Sequence, residues 1–176
     1  MASPSGPHGI RKPKASRPHM PSYGILDEKS GKGLLPWSWA VERLENAKRY
    51  WLATTRPDGA PHLMPVWGIW LDDTFCFMTS AGSRKGRNLA ANPRCVVSPE
   101  RENEVVILEG VVEIVSKPAF VRRYKDIYSR KYDWDMEPYN DPVTVVRPTV
   151  VFGHYENFRG EDGFTQTATR WTFGRD

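Results

Sequence analysis

The stretch TSAGSRKGRNLAAN, from Thr79 to Asn92, follows the apolar run Phe75-Cys-Phe-Met78 and enters a helix-favouring segment from Arg84 to Ala91. Strand, small-residue loop and helix start form an arrangement that offers unpaired backbone N–H groups to an anion. Ser83 is the expected N-cap of that helix, and Thr79 and Ser80 place hydroxyls at the end of the strand. Arg84 and Lys85 stand where a phosphate would be drawn in, one as a planar fork and the other as a mobile point charge. A capped surface helix with solvated basic side chains is the plainer alternative for the same residues.

Outward from this stretch the chain reads as alternating strands. Tyr50 to Thr55 is a strand, and Arg56-Pro-Asp-Gly59 carries a turn signal, with Pro second and Gly fourth. A long second strand is expected from Ala60 to Trp70, followed by a tight Leu71-Asp-Asp-Thr74 turn into the third strand. Pro61 and Pro65 lie four apart, so their missing amides share one side. That side belongs to an edge, a bulge or a ligand-facing surface. Gly68 permits close approach of another group. Trp67 and Ile69 would share one core face, and His62 would be a partly exposed strand residue. From Val105 to Val115 the even positions Val106, Leu108, Gly110, Val112 and Ile114 are apolar and point inward, whereas Glu109 and Glu113 read as solvated. Two more strands, Val143 to Arg147 and Thr149 to Tyr155, are expected on either side of Pro148, and Thr169 to Phe173 alternates again.

Two helices complete the pattern. One begins at Ser38, with Ser38 as cap, Glu42 in its first turn, and Trp37, Val41 and Leu44 on one stripe. Trp37 and Trp39 read as packing residues at one end of the molecule. The other follows Lys117, with Pro118 in its first turn and Phe120, Tyr124, Ile127 and Tyr128 in line. Asp133 to Pro142 is a polar loop that carries Trp134.

Composition sets the limits. A chain of 176 residues can bury a core without disulfides or metal. Cys76 and Cys95 lie in separate apolar segments and read as small core residues of a reducing compartment. His8, His19, His62 and His154 have no metal-ligand spacing, so no metal site is expected. No apolar stretch is long enough to span a bilayer, and a soluble, cytoplasmic protein is expected. The net charge is +4, and Arg11, Lys12, Lys14, Arg17, Lys29 and Lys32 supply much of it. Residues 1–33 are rich in Pro, Gly and Ser and read as an extended or disordered arm, leaving 34–176 as one domain.

The segments TTRPDGAPHLMPVWG, TSAGSRKGRNLAANPR, VVILEGVVE and TRWTF, in this order and spacing, resemble the pyridoxamine 5'-phosphate oxidase-like superfamily of split β-barrel flavin and deazaflavin oxidoreductases. The resemblance covers most of the chain from Tyr50 onward. It implies a mainly β (α+β) fold: an antiparallel split β-barrel of six to seven strands with peripheral helices, assembled as a homodimer. It also implies that Pro65, Val66 and Trp67 lie against the cofactor ring and that Arg170 and Trp171 reach a cofactor held across the dimer interface. Met78, Thr79, Ser80, Ser83, Arg84 and Lys85, in the strand–loop–helix stretch, are the remaining cofactor-binding candidates, with Arg84 and Lys85 expected on the cofactor phosphate. Members that oxidise pyridoxamine phosphate carry Gln before the central strand and end in a basic-apolar-Pro signature. Here the first place reads Glu104-Val105 and the chain ends TRWTFGRD, so vitamin B6 oxidation is not expected. The TRW ending and the SRKxRNL helix look more like the branch that binds the deazaflavin coenzyme (F-420), with FMN as the alternative.

The expected activity is hydride transfer to or from a small organic substrate, with no catalytic acid or base nominated because the cofactor ring carries the chemistry. Two other classes fit the same residues. One is a non-catalytic flavin-binding or carrier protein. The other is a basic barrel that stacks single-stranded nucleic acid on its Trp and Tyr rings, although nucleic acid is not the expected partner.

Overall fold

The computed structural model describes residues 12–156 and 163–174. Residues 1–11 of the expected arm, His8 and Arg11 among them, lie outside the described residues. The elements in chain order are β1 (Lys14–Ser16), α1 (Trp37–Asn46), β2 (Tyr50–Thr55), β3 (Pro61–Val66), β4 (Ile69–Leu71), β5 (Thr74–Phe77), α2 (Arg84–Ala91), β6 (Arg94–Pro99), β7 (Glu104–Val115), α3 (Pro118–Tyr132), β8 (Val143–Tyr155), α4 (Phe164–Thr167) and β9 (Thr169–Thr172).

All nine strands join one sheet, and every pairing is antiparallel. The long β8 strand is its hub. Its first half pairs with β5, which pairs with β4; its second half pairs with β9, which carries β1. On its other side the order runs β7, β6, β2, β3. The consecutive strands β3 and β4 are not bonded to each other, so the sheet curls into a split barrel and stays open at Trp67–Gly68.

Nine strands replace the expected six to seven, for identifiable reasons. The expected strand from Ala60 to Trp70 breaks into β3 and β4. Ile69 is buried, whereas Trp67 is 48% exposed, so the two do not share a core face. Short β1 adds to the β9 edge through Lys14, Ala15 and Ser16. In the other direction, the two strands expected around Pro148 are one. The register of β7 on β8 passes from Glu109↔Val150 to Gly110↔Pro148 and leaves Thr149 as the extra residue of a bulge, the place where a sheet accommodates Pro. Thr149 Oγ1 donates to the Glu109 carbonyl at 3.1 Å.

Alternation along β7 holds only in part. Val106, Leu108 and Gly110 are buried and Val112 is half-buried, but Ile114 is 61% exposed. Glu113 is not simply solvated: Arg147 Nε donates to it at 2.8 Å and Arg147 Nη2 at 2.5 Å. The β4–β5 turn, Asp72-Asp73, has both residues at positive φ (50° and 56°), the twist that a two-residue hairpin requires.

The start of α1 also corrects the sequence reading. Trp37 is the first helical residue, Pro36 occupies the N-cap, no side chain caps the end, and Glu42 falls outside the first turn. The stripe itself holds: Trp39, Ala40 and Leu44 are buried, while Trp37 and Val41 pack against the same core. Trp37 and Trp39 meet Trp171, Trp37 at 5.7 Å and edge-on, Trp39 at 6.4 Å and stacked. A second cluster, built from Ile69, Leu71, Cys76, Tyr124, Met136, Val143 and Val145, holds α3 onto β4 and β5. Both cysteines are buried, and burial pushes each thiol up to about 12, so they act as small core residues. No described helix is long and apolar enough to cross a membrane.

Candidate functional site

β5 ends at Phe77, and Met78 and Thr79, both half-buried, lead into the Ser80–Ser83 loop. Ser83 takes extended φ/ψ, and its hydroxyl accepts from the Gly86 amide at 3.0 Å, so it is the N-cap of α2. Thr79 Oγ1 lies 3.0 Å from Ser83 Oγ. Ser80 folds the loop back: its carbonyl accepts from the Ser83 amide at 3.0 Å and its hydroxyl from the Gly82 amide at 3.2 Å. A Cβ on Gly86 would collide with the Ser80 carbonyl and lie 3.0 Å from the Ala81 carbonyl. That glycine is therefore what lets the loop close on the helix.

These bonds satisfy Gly86 and Ser83 but leave the amides of Arg84 and Lys85, the first two of α2, without a protein acceptor. Their side chains stand at the same end, Arg84 exposed and Lys85 half-buried. Two open amides, two cations and the hydroxyls of Thr79, Ser80 and Ser83 are groups that suit an anion such as a terminal phosphate, with the helix dipole aligned to it. Arg87 is used differently: its guanidinium donates to the Gly82 carbonyl and braces the loop.

The interior of α2 adds a contact that sequence reading missed. Asn88 is buried, and its Nδ2 donates to Thr54 Oγ1 of β2 at 2.9 Å; Thr54 Oγ1 in turn lies 3.4 Å from His62 Nδ1 of β3. This polar bridge fixes α2 across the β2–β3 hairpin and joins the Thr79–Lys85 group to β3, which carries Pro65 and Val66 and leads into Trp67. A buried Asn between Arg87 and Leu89 on an otherwise amphipathic helix was the available signal.

Pro65 is exposed and Val66 buried at the end of β3. β3 pairs only with β2, so it can lack the amides of Pro61 and Pro65 without losing a ladder bond. The Trp67 indole stacks on Tyr132 (5.0 Å between centroids, 5° between planes), and Trp134 stands edge-on to it at 6.3 Å. Gly68 admits no side chain, because a Cβ would collide with the Phe75 ring and lie 2.7 Å from the Cys76 carbonyl.

Beneath Gly68 lies a group of titratable residues that sequence reading also passed over. Burial, with the like charge of Lys48, brings the Lys131 ammonium down to about 8, an effect partly opposed by Glu45. Burial pushes Tyr132 up to about 12, against the lowering effect of its hydrogen bond with Gly68. Tyr50 is raised further, again by burial. Tyr132 continues the four-residue spacing of Tyr124 and Tyr128, which was the signal for its inward direction.

The C-terminal candidates stand apart. Arg170 is exposed on β9, whereas Trp171 is fully buried against Trp37 and Trp39. Its indole belongs to the core and has no surface for a cofactor. In the sheet order β9 is separated from β2 by β8, β7 and β6. No group of three or more His, Cys, Asp or Glu among the described residues is arranged to hold a metal ion.

The comparisons agree with this architecture. A conserved hypothetical protein from Mycobacterium tuberculosis is 23% identical, with a TM-score of 0.62 over 68% of this chain and 84% of that one. An F420 reductase is 30% identical, with a TM-score of 0.51 over 62% of this chain and 93% of the reductase. A heme binding protein from Mycobacterium smegmatis is 25% identical, with a TM-score of 0.52 over 65% of this chain and 53% of that one. No curated protein matches the sequence. Residues 40–155 match the family described as pyridoxamine 5'-phosphate oxidase, and with well over half of its length inside that match the chain belongs to this family.

Proposed function

We propose that the protein is an oxidoreductase that binds a phosphate-bearing flavin or deazaflavin and passes hydride between it and a small organic substrate. The observation that carries the reading is the α2 loop, where the open amides of Arg84 and Lys85 and the side chains of the same two residues stand at one helix start. Family membership and the likeness to an F420 reductase support it. In this reading Thr79, Ser80, Ser83, Arg84 and Lys85 hold the phosphate, Met78 lines the approach, and the Pro65–Val66–Trp67 backbone lies along the ring. The bound ring supplies hydride exchange; the protein binds it, orients it and shields it. The protein is read as a homodimer in which Arg170 approaches the partner's site, and Trp171 is the anchor that holds β9 in place. Nucleic acid and membrane have no role in it.

The deazaflavin coenzyme is favoured over FMN. Its polyanionic tail extends beyond the phosphate and would use a basic track, and Arg84, Lys85 and Arg94 are all available near α2. Titration of the purified protein with FMN and with deazaflavin, each at two salt concentrations, tests the proposal. Tighter deazaflavin binding that weakens as salt rises is expected. Preference for FMN would overturn the cofactor choice, and binding of neither would overturn the function.

A further inference from the structure

Gly68 sits at the seam of the open sheet, where neither β3 nor β4 offers it a ladder partner. Its peptide groups are satisfied instead by two consecutive residues at the end of α3. The Gly68 amide donates to Tyr132 Oη at 3.0 Å, and its carbonyl accepts from Tyr132 Oη at 2.7 Å and from Lys131 Nζ at 3.1 Å. Lys131 Nζ also donates to Tyr50 Oη at 2.8 Å, and that hydroxyl is shared between the carbonyls of Leu44 (2.5 Å) and Ala47 (2.9 Å) at the end of α1. The preceding residue is held as well, by the stacking of Trp67 on Tyr132. One chain of contacts thus runs from α1 through β2 to α3 and ends on the backbone at the barrel seam.

Among the described residues, no carboxylate lies within salt-bridge distance of Lys131. The ionisable groups around it are Tyr50 on β2, Tyr132 on its own helix, Lys48 after α1, and Glu45 on α1. Lys48 bonds the Lys131 carbonyl and so brings a second cation to the same corner. A partly buried ammonium without an ion-pair partner is costly, and an apolar side chain there would favour folding. Its geometry supplies what an apolar group cannot: a charge-assisted bond to the carbonyl that fixes Gly68.

We propose that Lys131 and Tyr132 are positioning residues of the binding site, which by clamping the Gly68 peptide set the course of the Pro65–Val66–Trp67 backbone toward the ring. This rests on the cofactor reading above. Neither residue need touch the cofactor. Their influence would pass through Gly68, and it would weaken as Lys131 loses its proton, because a neutral amine bonds the carbonyl less strongly than an ammonium.

The test uses the full chain with Tyr132→Phe, Lys131→Met and Lys131→Arg. Tyr132→Phe keeps the stacked ring and removes only the hydroxyl, so the fold is expected to persist. In the ligand-free protein, amide exchange at Gly68 should accelerate on the order of tenfold in Tyr132→Phe, as expected for the loss of one such bond. FMN and deazaflavin affinities should fall roughly three- to tenfold in Tyr132→Phe and Lys131→Met at pH 7. Wild-type affinity should decline as pH passes through about 8. Lys131→Arg should restore affinity and abolish that decline, since guanidinium stays charged. Faster exchange at Gly68 with unchanged affinity for both cofactors would reduce the clamp to a structural role and overturn the inference, while leaving the cofactor reading intact. Unchanged exchange would overturn the clamp itself. A wild-type protein that binds neither cofactor would remove the cofactor reading and the inference with it, whatever the exchange rates.

Discussion

At the scale of single residues, the clearest contrast is between two lysines. Lys85 is half-buried at the open end of α2, beside an amide with no protein acceptor. A charge-assisted contact of its ammonium with a phosphate contributes about 1.5–3 kcal/mol, so Lys85→Ala should weaken cofactor binding about tenfold or more. Thermal unfolding of the same variant should stay close to wild type, because partly exposed Lys side chains add little to stability. Equal affinities by titration would take Lys85 out of the site. Lys131 is the opposite case, a cation whose burial brings it down to about 8 from the ordinary value of 10.5. Between about 8 and 10.5 the unfolded chain holds more protons than the folded one at this residue, so folding stability gains from rising pH across that window. The penalty for the buried charge is in full force below 8 and is relieved as the pH approaches 10.5. Denaturant unfolding of wild type and Lys131→Met at pH 7 and pH 10 should therefore show the balance shifting toward wild type at the higher pH. A difference between the two proteins that does not change with pH would show that Lys131 is solvated.

At the scale of elements, local chemistry made some boundaries readable and left others out of reach. α2 begins at Arg84 and ends at Ala91 as read, because a Ser cap and a small-residue loop act within a few residues of sequence. β2 and the Asp72-Asp73 turn were legible for the same reason. The break between β3 and β4 was not: a run from Ala60 to Trp70 has strand character throughout, and the interruption at Gly68 comes from the Phe75 ring, the Cys76 carbonyl and the α3 clamp, all remote in sequence. The start of α1 shifted because Pro36 itself adopts the N-cap conformation, leaving Ser38 inside the helix. Within the candidate site, the residues of the α2 loop were readable as a contiguous motif, whereas Asn88, Lys131 and Tyr132 gain their meaning only from partners between 34 and 81 positions away. The burial of Trp171 has the same origin, since the rings around it come from α1. The Ser83 cap yields a prediction at this scale. Ser83→Ala leaves the Gly86 amide without its acceptor and should lower stability by about 1 kcal/mol in denaturant unfolding. It should also weaken cofactor binding, because the loop that presents Thr79 and the α2 amides loses its tie. Full stability together with full affinity would contradict the assignment of Ser83 to both tasks.

At the scale of the whole molecule, the open sheet presents a face on which the described residues leave apolar side chains exposed. Strand alternation and register place Trp51, Leu63, Pro65, Val96 and Val111 on the side of β3, β2, β6 and β7 opposite to Leu52, Val97 and Leu108. Leu52, Val97 and Leu108 are buried, whereas Leu63 is 58% exposed and Trp51 and Val111 are also exposed. Apolar side chains gathered on one sheet face mark an association surface, and a second copy of the chain, related by a two-fold axis, would meet it with the same residues. β3 belongs both to this face and to the stretch read as the cofactor's backbone support, so dimerisation and cofactor binding should be coupled. Leu63→Glu sets a carboxylate on the β3 strand of this face, where pairing two copies would bury two like charges. Its side chain is exposed in the single chain, so folding of the protomer should be little affected. Light scattering should show wild type at twice the chain mass and Leu63→Glu at the chain mass. Cofactor affinity, measured on the same samples, should drop in parallel. A wild-type monomer that binds cofactor tightly would defeat the coupled arrangement. A Leu63→Glu dimer of undiminished stability would place the interface on another surface.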